Sequence, residues 1–220
     1  MADRRLFLKQ LAGYLTGFLL TFINWISRPE ISWGAARRLL PKGTRLETLV
    51  NENPALLDAR HLEIQPLEKF STMGLSDHPV DLNAWRLVCT GQVSTELRLT
   101  FDQVRTLPSM DRLVLLICPG FFANYGRWKG ISLALLGKKV GLKKGVNFVT
   151  VSGPEGPYKK TARFPWKDAV SGKVFLAYQV NGEPLPVRHG YPLRLVAEGV
   201  YGSEWVKYVY KVEFDKIDAA

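Results

Sequence analysis

Cysteine and histidine are scarce in this chain of 220 residues. Two cysteines, Cys89 and Cys118, are too few for a disulfide scaffold, a cysteine-ligated iron–sulfur cluster or a four-thiolate zinc site. His61, His78 and His189 are far apart in the sequence and no H-E-x-x-H occurs, so the paired ligands of a zinc protease are absent. No G-x-G-x-x-G opens a helix, which argues against a dinucleotide-binding unit, and neither a G-x-S-x-G elbow nor a P-loop is present. A C-x-x-C-H haem site is missing as well. If the chain does metal or redox chemistry, most of the ligands and the electrons must come from elsewhere.

Acidic residues are also a minority, 20 against 30 lysines and arginines, for a net charge of +10 and a pI of about 9.7. The bases are spread out in pairs: Arg4-Arg5, Arg37-Arg38, Lys138-Lys139, Lys143-Lys144 and Lys159-Lys160. A nucleic-acid protein gathers its bases on one helix or interleaves them with stacking aromatics, so no nucleic acid is expected. An anionic membrane face, an acidic redox partner or an anionic ligand suits such a surface equally well. A hydrophobic fraction of 46% is ample for one large domain, and no repeat or low-complexity tract interrupts it.

The opening M-A-D-R-R-L-F-L-K, followed by an apolar run over 11–26, has the basic start and hydrophobic stretch of an export segment. Arg4, Arg5, Phe7, Leu8 and Lys9 fall in register with the twin-arginine pattern S/T-R-R-x-F-L-K, which the segment resembles, Asp3 replacing the Ser or Thr. Twin-arginine export moves proteins already folded, so a cofactor buried before export is expected. As a helix the run over 11–26 would extend about 24 Å, short of a hydrocarbon core of about 30 Å, and no clean A-x-A follows it. The expected organisation is a signal or membrane anchor over 1–30, an N-terminal extension over 31–64 and a folded domain over 65–216. The expected location is the periplasm, with the inner membrane as an anchorage through residues 11–26.

Beyond residue 81 the pattern becomes one of strands. Trp85, Leu87 and Cys89 alternate with Arg86, Val88 and Thr90. Thr100 is an N-cap for a short helix ending near Leu107-Pro108. Residues 112–117 form an apolar strand that delivers Cys118, and 118–126 reads as a Gly-rich loop. A short helix is predicted over 131–136, closed by Gly137, and strands over 147–152, 175–180, 193–196 and 206–214. Asn181-Gly182 is a hairpin signal after 175–180. Many strands with few long helices predict an α+β domain of mixed β-sheets and short helices. Two readings of Cys118 stay open on these grounds: half of a Cys89–Cys118 disulfide, or a ligand presented to a cleft by a rigid strand.

Several segments carry a family resemblance together. They are D-L-N-A-W-R-L-V-C-T-G-Q-V at 81–93, L-T-F-D-Q-V at 99–104, L-L-I-C at 115–118, W-K-G-I-S-L at 128–133, N-G-E-P-L at 181–185, H-G-Y-P-L-R-L-V at 189–196 and Y-G-S-E-W-V-K at 201–207. In order and spacing they resemble the sulfite-oxidase-type molybdopterin-binding fold, over about residues 65–214. The resemblance implies a molybdenum–molybdopterin cofactor, with Cys118 as the catalytic, metal-binding thiolate beside the sulfurs of the pterin dithiolene. It implies cofactor contacts from His189, Arg194, Trp205, Val206 and Lys207, and more loosely from Ser71, Thr72 and Ser152. Arg194 suits a phosphate gripped by paired hydrogen bonds, Lys207 a point charge beside it.

Sulfite-oxidising members carry arginines around the metal and usually an immunoglobulin-like second domain, which is not expected here. The segment after Cys118 is more aromatic than basic, with Arg127 the nearby cation and Tyr125 and Trp128 either pocket walls or plain core aromatics. The resemblance is therefore to the methionine sulfoxide reductase branch. It implies oxygen-atom transfer, reduction of a sulfoxide or another small oxo-compound, with a membrane haem protein or a c-type cytochrome as electron partner. The alternatives are sulfite oxidation, and a non-catalytic envelope binding protein with a Cys89–Cys118 disulfide.

Overall fold

The computed structural model describes residues 37–217. The twin-arginine and anchor expectations over 1–30 lie outside the described residues. Among those described, no helix is long and apolar enough to cross a membrane.

The chain begins with β1 (Arg38–Leu39), two 3-10 turns and β2 (Leu57–Asp58), which pairs in parallel with β1. Leu40, Leu49, Leu57 and Leu62 from this stretch make a small core with Leu115, Ile117, Ala123 and Tyr125. After β3 (Leu87–Gly91) and β4 (Leu97–Leu99) comes α1 (Phe101–Thr106). Thr100 and Gln103 close a reciprocal capping box at its start. A long hairpin of β5 (Ser109–Cys118) and β6 (Phe122–Ser132) leads into α2 (Leu133–Val140). The remaining elements are β7 (Phe148–Ser152), β8 (Thr161–Pro165), α3 (Trp166–Val170), β9 (Val174–Val180), β10 (Glu183–Pro184), β11 (Arg194–Ala197) and β12 (Lys211–Asp215).

Two five-stranded sheets result. One runs β10-β9-β6-β5 with β11 also on β9, and the other runs β4-β3-β12-β7-β8. In the second, β12 is parallel to β3 and antiparallel to β7. The main core, including Trp85, Trp128, Ile131, Phe175 and Phe214, is shared by strands of both sheets. The α+β architecture of mixed sheets and short helices is as expected from the sequence.

Local boundaries differ in instructive ways. Residues 118–126 are not a loop. Pro119 and Gly120, with φ +77° at Gly120, form a tight turn in which Phe121 N–H donates to Cys118 O, and Cys118 already faces Phe122 across the ladder. Gly, Asn and Ala content suggested irregularity, but Ala123 and Tyr125 have an apolar face to bury beneath the N-terminal segment. The helix expected over 131–136 is α2 instead. Ser132 caps it, Gly137 lies inside it against Trp166, and Gly141 ends it in the left-handed conformation. Of the strand expected over 206–214, only β12 forms. Strand β8 and helix α3 were not anticipated.

Candidate functional site

Strand β5 is buried on both faces toward its end, which is why it reads as an uninterrupted apolar run. Alternation turns Leu115 and Ile117 to the small core and Leu116 and Cys118 the other way, onto a cleft of about 380 Å³. Four further segments complete the cleft: 71–75, the start of β6, the β7–β8 loop over 157–160, and residues 202–208.

Cys118 is 9% exposed, its Sγ 3.8 Å from Met73 Sδ. Burial pushes its thiol up from the ordinary value, and Lys160 pulls the other way. Asn124, on the facing strand, fixes the segment that carries Met73. Its Oδ1 accepts from Ser71 N–H at 3.0 Å and its Nδ2 donates to Ser71 O at 2.8 Å. Thr72 Oγ1 donates to Arg188 O, and Lys207 Nζ donates to Met73 O at 2.8 Å and Leu75 O at 3.0 Å. Burial, then Arg194 and Lys160, bring Lys207 down to about 8.

Arg194 is the deepest cation of the cleft. Its guanidinium lies 5.2 Å from the ring of Trp128 and 5.4 Å from that of Trp205, and Nη1 donates to His189 O at 2.8 Å. Its Nε is buried with no partner, and burial lowers the group to about 10. Tyr158 and Tyr208 meet edge to face on the wall, with His78 behind both.

The structure thus brings Cys118, Ser71, Thr72, Arg194, Trp205 and Lys207 around one cleft. Three expected residues are elsewhere. His189 lies behind the wall, its ring edge-on to Phe70, and burial followed by Arg194 holds it near 4, so it is neutral at pH 7. Its buried Nε2 has no partner. Val206 is a core residue whose carbonyl already accepts from Leu195 N–H. Ser152 Oγ is bonded to Thr161 Oγ1 instead of standing on the wall. Tyr125 and Trp128 are fully buried in the cores, and Arg127 pairs with Asp111 at 3.2 Å on the surface, so none of the three lines the cleft. The cations near Cys118 are Lys159, Lys160, Lys207 and Arg194. Lys159 and Lys160 were visible in the sequence only as one of several base pairs, and Asn124 only as part of the supposed loop.

Cys89 and Cys118 are both free thiols, Cys89 fully buried in β3 and pushed by burial to about 12, so the disulfide reading fails. Among the described residues no three His, Cys, Asp or Glu side chains gather into a metal site. A metal at Cys118 therefore needs a group that brings its own donors. The cleft fits an anionic, polar group of that kind. Its floor has a buried cation without a carboxylate and an orphaned ring nitrogen just behind. Gly190, at φ +110°, also lets two backbone segments close to a spacing no side chain tolerates: a Cβ there would fall 2.1 Å from Lys207 O.

Residues 75–219 match the family described as oxidoreductase molybdopterin binding domain. The uncharacterized oxidoreductase YuiH of Bacillus subtilis is 29% identical over 137 residues, 62% of this chain and 68% of that protein. The sulfite oxidase of Arabidopsis thaliana is 26% identical over 181 residues, 66% of this chain and 46% of that protein. YedZ1 of Azospira oryzae, named as a protein-methionine-sulfoxide reductase subunit, is 25% identical over 130 residues, 59% of this chain and 48% of that protein. The chain thus spans about two thirds of the first and under half of the other two. The sulfane dehydrogenase SoxCD from Paracoccus pantotrophus shares the fold at a TM-score of 0.58 and 24% identity, over 62% of this chain and 39% of that one.

Proposed function

Because the chain belongs to the oxidoreductase molybdopterin binding domain family, we propose that it holds a molybdenum–molybdopterin group in the Cys118 cleft and catalyses oxygen-atom transfer in the cell envelope. One observation carries this reading: the cleft joins a lone buried thiol at one end to a buried, carboxylate-free Arg194 at the other. When bound, the molybdenum–pterin group supplies two-electron oxygen-atom-transfer chemistry. Cys118 would give the metal its protein thiolate, with Lys160 opposing the burial that pushes the thiol up. Arg194 and Lys207 hold the phosphate, and the Ser71–Thr72 backbone, clamped by Asn124, borders the pterin.

The substrate we favour is a sulfoxide or similar small oxo-compound. A sulfoxide takes up a pair of electrons and a pair of protons, its sulfur–oxygen bond breaks, and a thioether and water leave. Apolar walls from Met73, Leu75, Leu116 and Phe122 beside Cys118 support it, as does the likeness to YedZ1. Lys160 supports a second reading, oxidation of an oxyanion such as sulfite. The electrons come from a membrane haem protein or a c-type cytochrome. The site of action is the periplasm, reached by the twin-arginine route with residues 11–26 as an anchor. Cell fractionation of an Arg4→Lys, Arg5→Lys variant tests that route, and unchanged export refutes it.

The purified protein should contain close to one molybdenum and one pterin per chain, and Cys118→Ser should lose activity. A metal-free wild type, or a fully active Cys118→Ser, ends this reading. A reduced-dye assay across sulfoxides, N-oxides and sulfite separates the two substrate readings.

A further inference from the structure

The register of the sheets divides the fold into two poles. Cys118 ends β5 opposite Phe122, while the far end of the same ladder pairs Ser109 with Ile131 and hands the chain to α2. At about 3.3 Å per residue those ends are about 30 Å apart. The second sheet has the same polarity. Ser152, Thr161 and Lys211 lie together at the end that adjoins the cleft, and Phe148, Pro165 and Asp215 at the other.

That other pole is basic. Lys138, Lys139, Lys143 and Lys144 fall within seven positions at the end of α2 and in the turn after it, and Lys167 lies on α3. All five are exposed and form no ion pair among the described residues, unlike Lys42, Lys159 and Lys211. They share one surface. Gly137 of α2 meets Trp166 of α3, the Lys216 side chain lies against Gly145, and Asn147 joins Trp166 and Ile217 through hydrogen bonds. Among the described residues most carboxylates here are engaged: Asp168 is buried, Asp215 is held by Thr150 and Arg163, Glu198 by Arg37 and Arg112, and Asp111 by Arg127, while Glu96 is exposed. The C-terminal dipole of α2 accounts for Lys138 and Lys139 on structural grounds. It does not account for Lys143, Lys144 and Lys167. Exposed Val170 and Ile217 add apolar contacts among the lysines.

We infer that this pole, opposite the Cys118 cleft, docks on an anionic lipid bilayer and leaves the cleft facing away from the membrane. Charge complementarity favours the bilayer, because a broad set of lysines with scattered apolar side chains matches a headgroup layer. The sequence supplies a reason as well: an apolar run over 11–26 too short to span comfortably holds a membrane better with a second, electrostatic contact. The inference does not depend on the cofactor.

Flotation of the full chain with vesicles of phosphatidylcholine alone, or with one-third phosphatidylglycerol, tests it. The apolar N-terminal run affects both vesicle types, while Arg4, Arg5, Lys9 and Arg28 beside it add their own response to the anionic lipid. The share of this pole is therefore read from the change in the ratio of the two partition coefficients between wild type and variants. Each basic side chain near such a surface strengthens binding up to about fivefold, so the anionic lipid should raise partitioning about tenfold or more. High salt should remove the difference. Replacing Lys138, Lys139, Lys143 and Lys144 together by Gln should lower the ratio about tenfold or more, whereas Lys159→Gln at the cleft pole should leave it unchanged. A variant with Lys143, Lys144 and Lys167 replaced by Gln spares the α2 dipole and should lower the ratio severalfold. No response to phosphatidylglycerol, or a ratio unmoved by these variants, overturns the inference. So does binding of this pole to an acidic protein without any lipid response.

Discussion

Replacing Arg194 by methionine keeps most of the side-chain length and removes the charge. The guanidinium is buried, and its recorded hydrogen bond runs to His189 O at 2.8 Å. Burial takes the group from its ordinary value down to about 10, which at 1.36 kcal/mol per tenfold change is a cost to the fold of about 3 kcal/mol. Because the folded value lies below the unfolded one, that cost is fully present below about pH 10 and is relieved only as the pH rises above it toward the ordinary guanidinium value. Against it stands the bond to His189 O, about 1–3 kcal/mol when the acceptor is left buried and unpaired. The contacts over Trp128 and Trp205 add about 1–2 kcal/mol each, of which a methionine sulfur on the same rings recovers about 1. The sides nearly cancel. Cofactor-free Arg194→Met, made in cells that cannot supply the pterin, should therefore unfold within about 2 kcal/mol of wild type. Removing one partner of a buried charged hydrogen-bond pair costs about 2 kcal/mol or more, so the affinity for the pterin should fall about thirtyfold or further. Denaturant unfolding gives the first quantity, and pterin fluorescence with metal analysis of the loaded protein the second. Full pterin retention would remove Arg194 from the binding site. A stability loss above about 4 kcal/mol would make it a structural residue.

Lys207 gives a pH-dependent prediction. Its folded value of about 8 lies below its usual 10.5, so the cost of keeping it charged is complete below about pH 8 and is relieved as the pH climbs to 10.5. The stability of the cofactor-free protein should include a component that rises across that window, and denaturant midpoints for Lys207→Met should lack it; identical profiles would contradict this. Asn124→Leu removes both bonds to Ser71, at about 1–3 kcal/mol. It should also free the segment whose Met73 covers Cys118, so that the cofactor-free variant alkylates there faster. Unchanged alkylation would mean that the Lys207 and Thr72 bonds hold Met73 without help from Asn124.

The sequence made strand β5 and its terminal cysteine legible because both are local: an apolar run, then Pro119-Gly120. Arg194 and Lys207 were singled out through the family resemblance, on H-G-Y-P-L-R-L-V and Y-G-S-E-W-V-K, and both line the cleft. What stayed hidden is set by contacts distant in the chain. Ser71 and Asn124 are 53 positions apart, and Lys207 reaches Met73 across 134. No periodicity indicates which loop will lie over which strand end. The composition of residues 119–128 therefore pointed to Arg127 as the cation and left Tyr125 and Trp128 open between cleft wall and core. Alternation in β6 turns Tyr125 into the small core and Trp128 into the main one. The cations come from Lys159 and Lys160, on a loop that the strand after Asn147 announces only by ending. Ser152 lies off the cleft for the related reason that its hydroxyl faces a neighbouring strand, which the sequence did not reveal as β8.

The corrected site changes how the cleft is understood as part of the fold. Hydrophobic cores normally leave few buried polar groups without partners, yet Arg194 Nε and His189 Nε2 are orphaned within one small region. Lys207 is meanwhile occupied with carbonyls of the 73–75 segment. Mutual repulsion adds to the cost, since Arg194 lowers both His189 and Lys207. A chain selected for its own stability alone would replace such groups with apolar ones of similar volume, often at a gain. An anionic ligand reverses the balance. It pairs with the cations, and its binding free energy is then added to the folded state by mass action. The polar groups that weaken the cofactor-free fold are those that make the loaded one stable, so loss of cofactor and loss of fold should go together on heating.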